Sequence, residues 1–138
     1  HDVVEDQDIS LDTIDAEFGP AVAEMVAALS ERKRKDGKLR PWEERKKEAL
    51  AHLRQASTGA IAVKAADVLH NAHSLRAHLQ RDGAAAWEDY SRDAEKTLWY
   101  YGAVLEIVQK ELDGHPLLDE AREAVGDLEQ VIDRVKAR

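Results

Sequence analysis

The sequence predicts an all-α helical bundle, because apolar residues recur at helical spacing and no segment alternates like a β-strand. Apolar positions three and four residues apart mark several long segments, each with one face suited to burial. Proline and glycine stand between these segments, where helices begin and end. A chain of 138 residues can bury one hydrophobic core, so we expect a single domain over residues 1–138.

His1–Asp6 is predicted to be the end of a helix, followed by a turn at residues 7–9. The first two complete predicted helices meet at Gly19. Ser10 is a suitable N-cap for a short helix ending at Phe18, because its hydroxyl can accept a hydrogen bond from a free backbone N–H. Gly19 can end that helix, and Pro20 fits the first position of the next one, which continues to about Ser30.

A third helix opens at Pro41, and Ser57-Thr58-Gly59 separates it from a long fourth helix that ends near Gly83. The residues from Ala84 to Tyr90 predict a turn or a short helix. The predicted buried residues of the third and fourth helices are Trp42, Leu50, Leu53, Ile61, Val68, Ala72, Leu75 and Leu79.

The last two helices run from Asp93 to Leu112 and from the turn at residues 113–116 to the end of the chain. The core stripe of the former contains Leu98, Tyr101, Leu105 and Val108. The stripe of the latter, which we expect to cap the bundle, contains Leu117, Leu118, Ala121, Val125, Leu128, Val131 and Val135.

The net charge of −8 is unevenly distributed along the chain. Residues 1–30 contain eight acidic residues and no lysine or arginine, whereas Glu31–Arg40 contains six basic residues against two acids. An acidic pocket that concentrates a divalent cation beside a basic loop that holds phosphates suits a metal-dependent phosphohydrolase. The alternative is that the basic loop is a solvated connection. One short basic loop on an acidic protein does not suit nucleic acid.

The composition argues against a disulfide-linked protein, a thiolate metal protein and a membrane-spanning protein. The chain has no cysteine, so it has neither a disulfide framework nor a thiolate metal site, and we expect a cytoplasmic protein. No segment approaches the roughly 18 consecutive apolar residues that mark a membrane span. We therefore expect no membrane partner.

Two groups of polar residues carry the functional signal. At about 100° per residue, the first group shares one side of a helical turn at the start of the chain: His1, Asp2, Glu5 and Asp6. The second group falls within an arc of about 120° on the fourth helix, beside its apolar stripe: Asp67, His70, Asn71 and Ser74. Ionisable residues beside a core are costly unless they are paired or bind a metal. A structural alternative makes His70 an ordinary core histidine and Asp67 an internal ion-pair partner of Lys64.

Together the two groups predict metal-assisted hydrolysis of a phosphate ester or anhydride. Imidazole and carboxylate ligands suit several divalent ions, and a majority of oxygen donors without thiolate favours Mn²⁺. Such an ion polarises a phosphoryl oxygen and lowers the pKa of its bound water. Glu5 and Asp6 could orient that water or act as general base. His1, Asp2 and Asp67 would supply three ligands, so we expect a fourth upstream of residue 1.

The same blocks resemble a known family. His1-Asp2 together with Asp67 resembles the HD superfamily of metal-dependent phosphohydrolases. His1–Asp6, Phe18-Gly19 and Lys64–Asn71 resemble the hydrolase domain of the Rel/SpoT alarmone enzymes and its small stand-alone relatives. The resemblance implies an HD-domain helical bundle whose N-terminal helices lie upstream of this sequence. It also implies removal of the 3′-pyrophosphate from the guanosine polyphosphates (p)ppGpp with Mn²⁺.

Roles at matching positions also follow from the resemblance. His1, Asp2 and Asp67 would ligate the metal, and Glu5 and Asp6 would position and activate the water. Nucleotide contacts would come from Asn71, which matches a ribose-contacting residue, and from Ser74 and Lys64. The charge of the basic loop, independently of the resemblance, adds three candidate diphosphate contacts: Lys35, Lys38 and Arg40.

Three functions are open from the sequence. Besides alarmone hydrolysis, an HD phosphohydrolase could act on a deoxynucleotide or a phosphorylated dinucleotide, because a fold alone does not select a substrate. The third is an inactive helical interaction module, against which the intact acids Glu5, Asp6 and Asp67 weigh. No synthetase or regulatory segment follows in the chain, so we expect either a small stand-alone hydrolase or the hydrolase part of a protein that extends further upstream.

Overall fold

The computed structural model describes residues 9–31, 34–83, 85 and 94–136. The predictions for residues 1–6 and for most of the segment 84–90 lie outside the described residues. The described helices are α1 (Leu11–Phe18), α2 (Pro20–Leu29), α3 (Trp42–Arg54), α4 (Thr58–Asp82), α5 (Ala94–Leu112) and α6 (Pro116–Lys136). The predicted all-α class is confirmed.

The chain forms two compact units that divide between Ile61 and Ala62. The first unit contains α1, α2, α3 and the first residues of α4, and the second contains the rest of α4 together with α5 and α6. The single domain expected from chain length stays a prediction. None of the described helices combines the length and hydrophobicity needed to cross a membrane.

The boundary between α1 and α2 follows from local capping. The Ser10 hydroxyl accepts a hydrogen bond from the Thr13 N–H at 3.2 Å, as the N-cap assignment predicts. Gly19 has a φ of 90°, a region that residues with a Cβ rarely adopt, so the chain can leave α1 there. Pro20 is the first residue of α2, and the two helices pack against each other.

The basic loop contains an antiparallel hairpin that the sequence analysis missed. Strand β1 (Arg34–Lys35) pairs with β2 (Lys38–Leu39) across Asp36-Gly37. Both turn residues have positive φ, 53° for Asp36 and 78° for Gly37, which is the geometry of the tight turn that Asp-Gly favours. The prediction that the chain has no β-strand was therefore wrong at this loop. The Asp36-Gly37 pair is the sequence signal that indicates a hairpin.

Helix α4 begins where the Ser57 hydroxyl accepts a hydrogen bond from the Ala60 N–H at 3.2 Å. At Gly59, the second residue of α4, an added Cβ would lie 2.7 Å from Cε of Met25. Any side chain at residue 59 would displace Met25, so glycine permits this close approach within the first unit. The five predicted stripe residues of α4 are all buried: Ile61, Val68, Ala72, Leu75 and Leu79.

The second unit builds its core from α4, α5 and α6. Its buried residues include Ala72, Leu75, Leu79, Ala94, Ala124, Leu128, Val131 and Ile132. The predicted stripe of α5 faces the core, with Leu105 and Val108 buried and with Leu98 and Tyr101 partly buried against it. Tyr100, which the predicted stripe did not include, is also buried. In α6, Leu117 and Val125 are likewise partly buried, and in α3 the predicted core residue Trp42 is half-buried.

Leu128→Ala should lower the free energy of unfolding by about 2–5 kcal/mol, because Leu128 is 0% exposed and the truncation leaves a cavity. Chemical denaturation of the two proteins measures this difference. The matched control is Leu39→Ala, where the same atoms are removed from a side chain that is 60% exposed, and the change should stay within about 0.5 kcal/mol. Equal losses in both variants would contradict the assigned core.

Candidate functional site

The polar face of α4 presents Asn71 and Ser74, two of the three predicted nucleotide-contacting residues of this helix, to the surface. His70, Asn71 and Ser74 are exposed, and Asp67 is half-buried at the edge of the same face. The alternative that His70 is a core histidine is therefore wrong. The helix arranges this face because the neighbouring stripe, with Val68 and Leu75, is buried and fixes the rotation of α4.

A short chain of contacts surrounds Asp67. The Lys64 ammonium lies 3.3 Å from Oδ2 of Asp67 on the same helix, one turn earlier. The same ammonium lies 5.4 Å from the ring centroid of Tyr100, on α5. The internal ion pair that the sequence left open as an alternative is therefore present. Tyr100 was missed as a site residue, because the sequence does not show which helix packs against Lys64.

The environment of Lys64 keeps its amine protonated. Burial on its own lowers the pKa of this group, but the neighbouring Tyr100 and Asp67 more than offset burial, so the pKa of Lys64 is raised above its usual value. The side chain is only 13% exposed. A buried ammonium of this kind needs its carboxylate partner, because an unpaired buried charge is strongly destabilising.

Asp67 is chemically suited to bind a divalent cation. Within the described part of the chain, its single polar partner is Lys64, bound through Oδ2, so Oδ1 has no hydrogen bond there. A carboxylate oxygen of this kind fits Mn²⁺ or Mg²⁺. The other predicted ligands and acids, His1, Asp2, Glu5 and Asp6, lie outside the described residues. Among described residues, no cluster of three metal-binding side chains occurs.

The hairpin carries the second group of predicted substrate contacts, in the first unit. Lys35 and Lys38 are exposed and line an open groove of about 360 Å³. Arg40 also lines this groove but is buried, and its Nη2 donates to Glu44 at 3.0 Å and Glu48 at 2.5 Å. The hydrogen bond with Glu48, followed by that with Glu44, raises the pKa of Arg40.

A further ion network in the first unit was not anticipated from the sequence. Glu31, which was assigned to the basic loop, accepts hydrogen bonds from Lys46 at 2.6 Å and from Arg45 at 3.4 Å. All three side chains are buried or largely buried, and Nε of Arg45 has no partner among the described residues. The partners lie 14 and 15 residues apart, so no local pattern could reveal them.

The chain is similar to three enzymes called guanosine-3′,5′-bis(diphosphate) 3′-pyrophosphohydrolase MESH1. Over 75 residues it is 37% identical to the proteins of Mus musculus and Homo sapiens and 35% identical to that of Danio rerio. The aligned part is 54% of this chain and 39% of each relative. The chain therefore spans less than half the length of these curated relatives.

The fold is similar to a solved structure, that of lmo0812 from Listeria monocytogenes EGD-e at 1.85 Å. The TM-score is 0.75 with 29% sequence identity, over 91% of this chain and 80% of the other. Residues 1–91 match the family described as HD domain, which covers 91 of the 138 residues and includes both polar groups. The chain therefore belongs to the HD domain family.

Proposed function

We propose that this protein is a metal-dependent phosphohydrolase that removes the 3′-pyrophosphate of (p)ppGpp. The observation that carries the proposal is the polar face of α4, where one carboxylate oxygen of the half-buried Asp67 has no partner among the described residues and lies on the same face as exposed Asn71 and Ser74. The similarity to MESH1 proteins supports the substrate, since their name states this activity.

The proposed metal ligands are His1, Asp2 and Asp67, with Mn²⁺ as the proposed ion. When bound, such an ion supplies Lewis-acid polarisation of a phosphoryl oxygen and a water of lowered pKa. Glu5 and Asp6 orient the attacking water and accept its proton. The water oxygen forms a bond to the phosphorus attached to the ribose 3′ oxygen, and the bond between that phosphorus and the 3′ oxygen breaks. The 3′ oxygen takes up a proton to become a hydroxyl, so ppGpp and water yield GDP and pyrophosphate.

Asn71 and Ser74 are proposed to contact the nucleotide, because each presents a polar side chain on the exposed face of α4. Lys35 and Lys38 are proposed to bind the second, non-reacting diphosphate through their exposed ammonium groups. Arg40 joins them in this proposal, although in the unliganded protein its guanidinium is engaged by Glu44 and Glu48. A phosphate could contact Arg40 only by sharing or replacing these carboxylates.

Asp67→Asn should weaken Mn²⁺ binding by more than about 100-fold, because it neutralises a proposed metal ligand. Loss of a residue that only supports a ligand typically weakens metal binding by about 10–100-fold. Isothermal titration of the purified protein with Mn²⁺ measures the change. The control is Asp119→Asn, which removes one exposed carboxylate from the first turn of α6 and should leave binding unchanged. Unchanged affinity in the Asp67 variant would refute the metal assignment.

Glu5→Gln and Asp6→Asn should retain bound Mn²⁺ but lower kcat by about 10²–10⁴, because each removes a group that acts on water. Turnover at saturating metal, measured beside Mn²⁺ affinity, separates the two effects. Glu17→Gln, on the exposed side of α1, is the control for loss of one negative charge. If metal affinity and turnover fall together, these acids are ligands instead.

With Mn²⁺, the protein should hydrolyse ppGpp with a higher kcat/KM than GTP, deoxynucleotides or NADPH. Replacing both Lys35 and Lys38 by alanine should raise KM more than it lowers kcat, because the non-reacting diphosphate is bound similarly before and during the reaction. Lys47→Ala, at an exposed position of α3, is the control and shows the effect of removing one lysine charge outside the hairpin.

The competing functions give different outcomes in the same assay. A better deoxynucleotide or NADPH substrate would replace the alarmone assignment while retaining the phosphohydrolase. Metal-loaded protein that turns over no phosphorylated compound would favour the interaction module.

A further inference from the structure

Lys64 is directed into the protein rather than toward solvent. Its side chain is 13% exposed, and its ammonium contacts Oδ2 of Asp67 and the ring of Tyr100. As with Arg40, a substrate phosphate could contact the Lys64 ammonium only by sharing or replacing its carboxylate partner. The contacts of Lys64 therefore do not suit the substrate-binding role that its motif position suggested.

Tyr100 is the fixed end of this arrangement. It is 5% exposed and belongs to α5, whereas Lys64 and Asp67 belong to α4. Because the surrounding core holds the tyrosine ring, the ring restrains the ammonium, and the ammonium in turn restrains one oxygen of Asp67. The other oxygen, Oδ1, is left without a partner in the described part of the chain.

We propose that Lys64, held by Tyr100, is a positioning residue that fixes the Asp67 carboxylate so that Oδ1 can bind the divalent cation. This role rests on the proposed function, because it takes Asp67 as a metal ligand. Ligating carboxylates are usually held by hydrogen bonds from a second layer of residues, and loss of such a partner typically costs about 10–100-fold in metal affinity.

Lys64 has two opposite effects on metal binding that must be separated. It orients the carboxylate, which strengthens binding, and its positive charge repels the cation, which weakens binding. Lys64→Met removes both effects. Tyr100→Leu removes the aromatic ring that restrains the ammonium, but Lys64 and its positive charge are retained. A loss of affinity in Tyr100→Leu therefore reports on positioning alone.

The experiment is calorimetric titration of Mn²⁺ into wild-type protein, Tyr100→Leu, Lys64→Met and the control Lys110→Met, an exposed lysine on α5. Tyr100→Leu should bind Mn²⁺ about 10–100-fold more weakly. Lys64→Met should also bind more weakly, and Lys110→Met should match wild type. In turnover assays, excess Mn²⁺ should restore the kcat of both site variants with KM for nucleotide unchanged, since substrate contacts are intact.

Wild-type or tighter Mn²⁺ binding by Tyr100→Leu and Lys64→Met, with a KM that excess Mn²⁺ does not restore, would overturn the proposal and make Lys64 a substrate contact. If either variant fails to fold by circular dichroism, Lys64→Arg replaces it. Arginine keeps the charge but moves the donors, so weaker Mn²⁺ binding supports positioning, and unchanged binding overturns it.

Failure of this inference is distinguishable from failure of the proposed function. Protein that binds Mn²⁺ in a Tyr100-dependent manner but hydrolyses no ppGpp would overturn the substrate assignment and support the positioning role. Unchanged Mn²⁺ affinity in Asp67→Asn would overturn both.

Discussion

The ion pair between Lys64 and Asp67 is the interaction on which the candidate site depends. Helix α4 must bury an apolar stripe in the core while it carries charged side chains directly beside that stripe. A lysine in this position is tolerated because a carboxylate and an aromatic ring accompany it. Among the described residues, the same contacts leave Oδ1 of Asp67 without a partner, so under the proposed function one arrangement both compensates a buried charge and orients a metal ligand.

The first unit meets a similar constraint with different residues. Glu31 is shared by Arg45 and Lys46, and Arg40 is shared by Glu44 and Glu48. These networks compensate charges at the base of the basic hairpin and at the start of α3. They leave the exposed lysines of the hairpin as its accessible cations among the described groove residues. Charge in this loop is therefore divided between structural pairs and groups that can meet an anion.

Membership of the HD domain family and the geometry around Asp67 bear on function in different ways. The family match covers both polar groups and explains why they occur in one chain. The structure adds that Lys64 contacts both Asp67 and Tyr100, and Tyr100 lies outside the matched segment of residues 1–91. Assignment of nucleotide substrate rests on the MESH1 relatives, whose sequences this chain covers in part.

The sequence by itself determined the helices and the polar face of α4. Ser10, Gly19 and Pro20 set boundaries because capping and backbone geometry act within a few residues, and helical periodicity fixed which side of α4 is buried. Asp36-Gly37 also held a local signal, for a hairpin. Only the tertiary structure decided that Tyr100 meets Lys64 and that Glu31 meets Arg45, because these partners lie far apart in the chain and are joined by packing that no local pattern encodes.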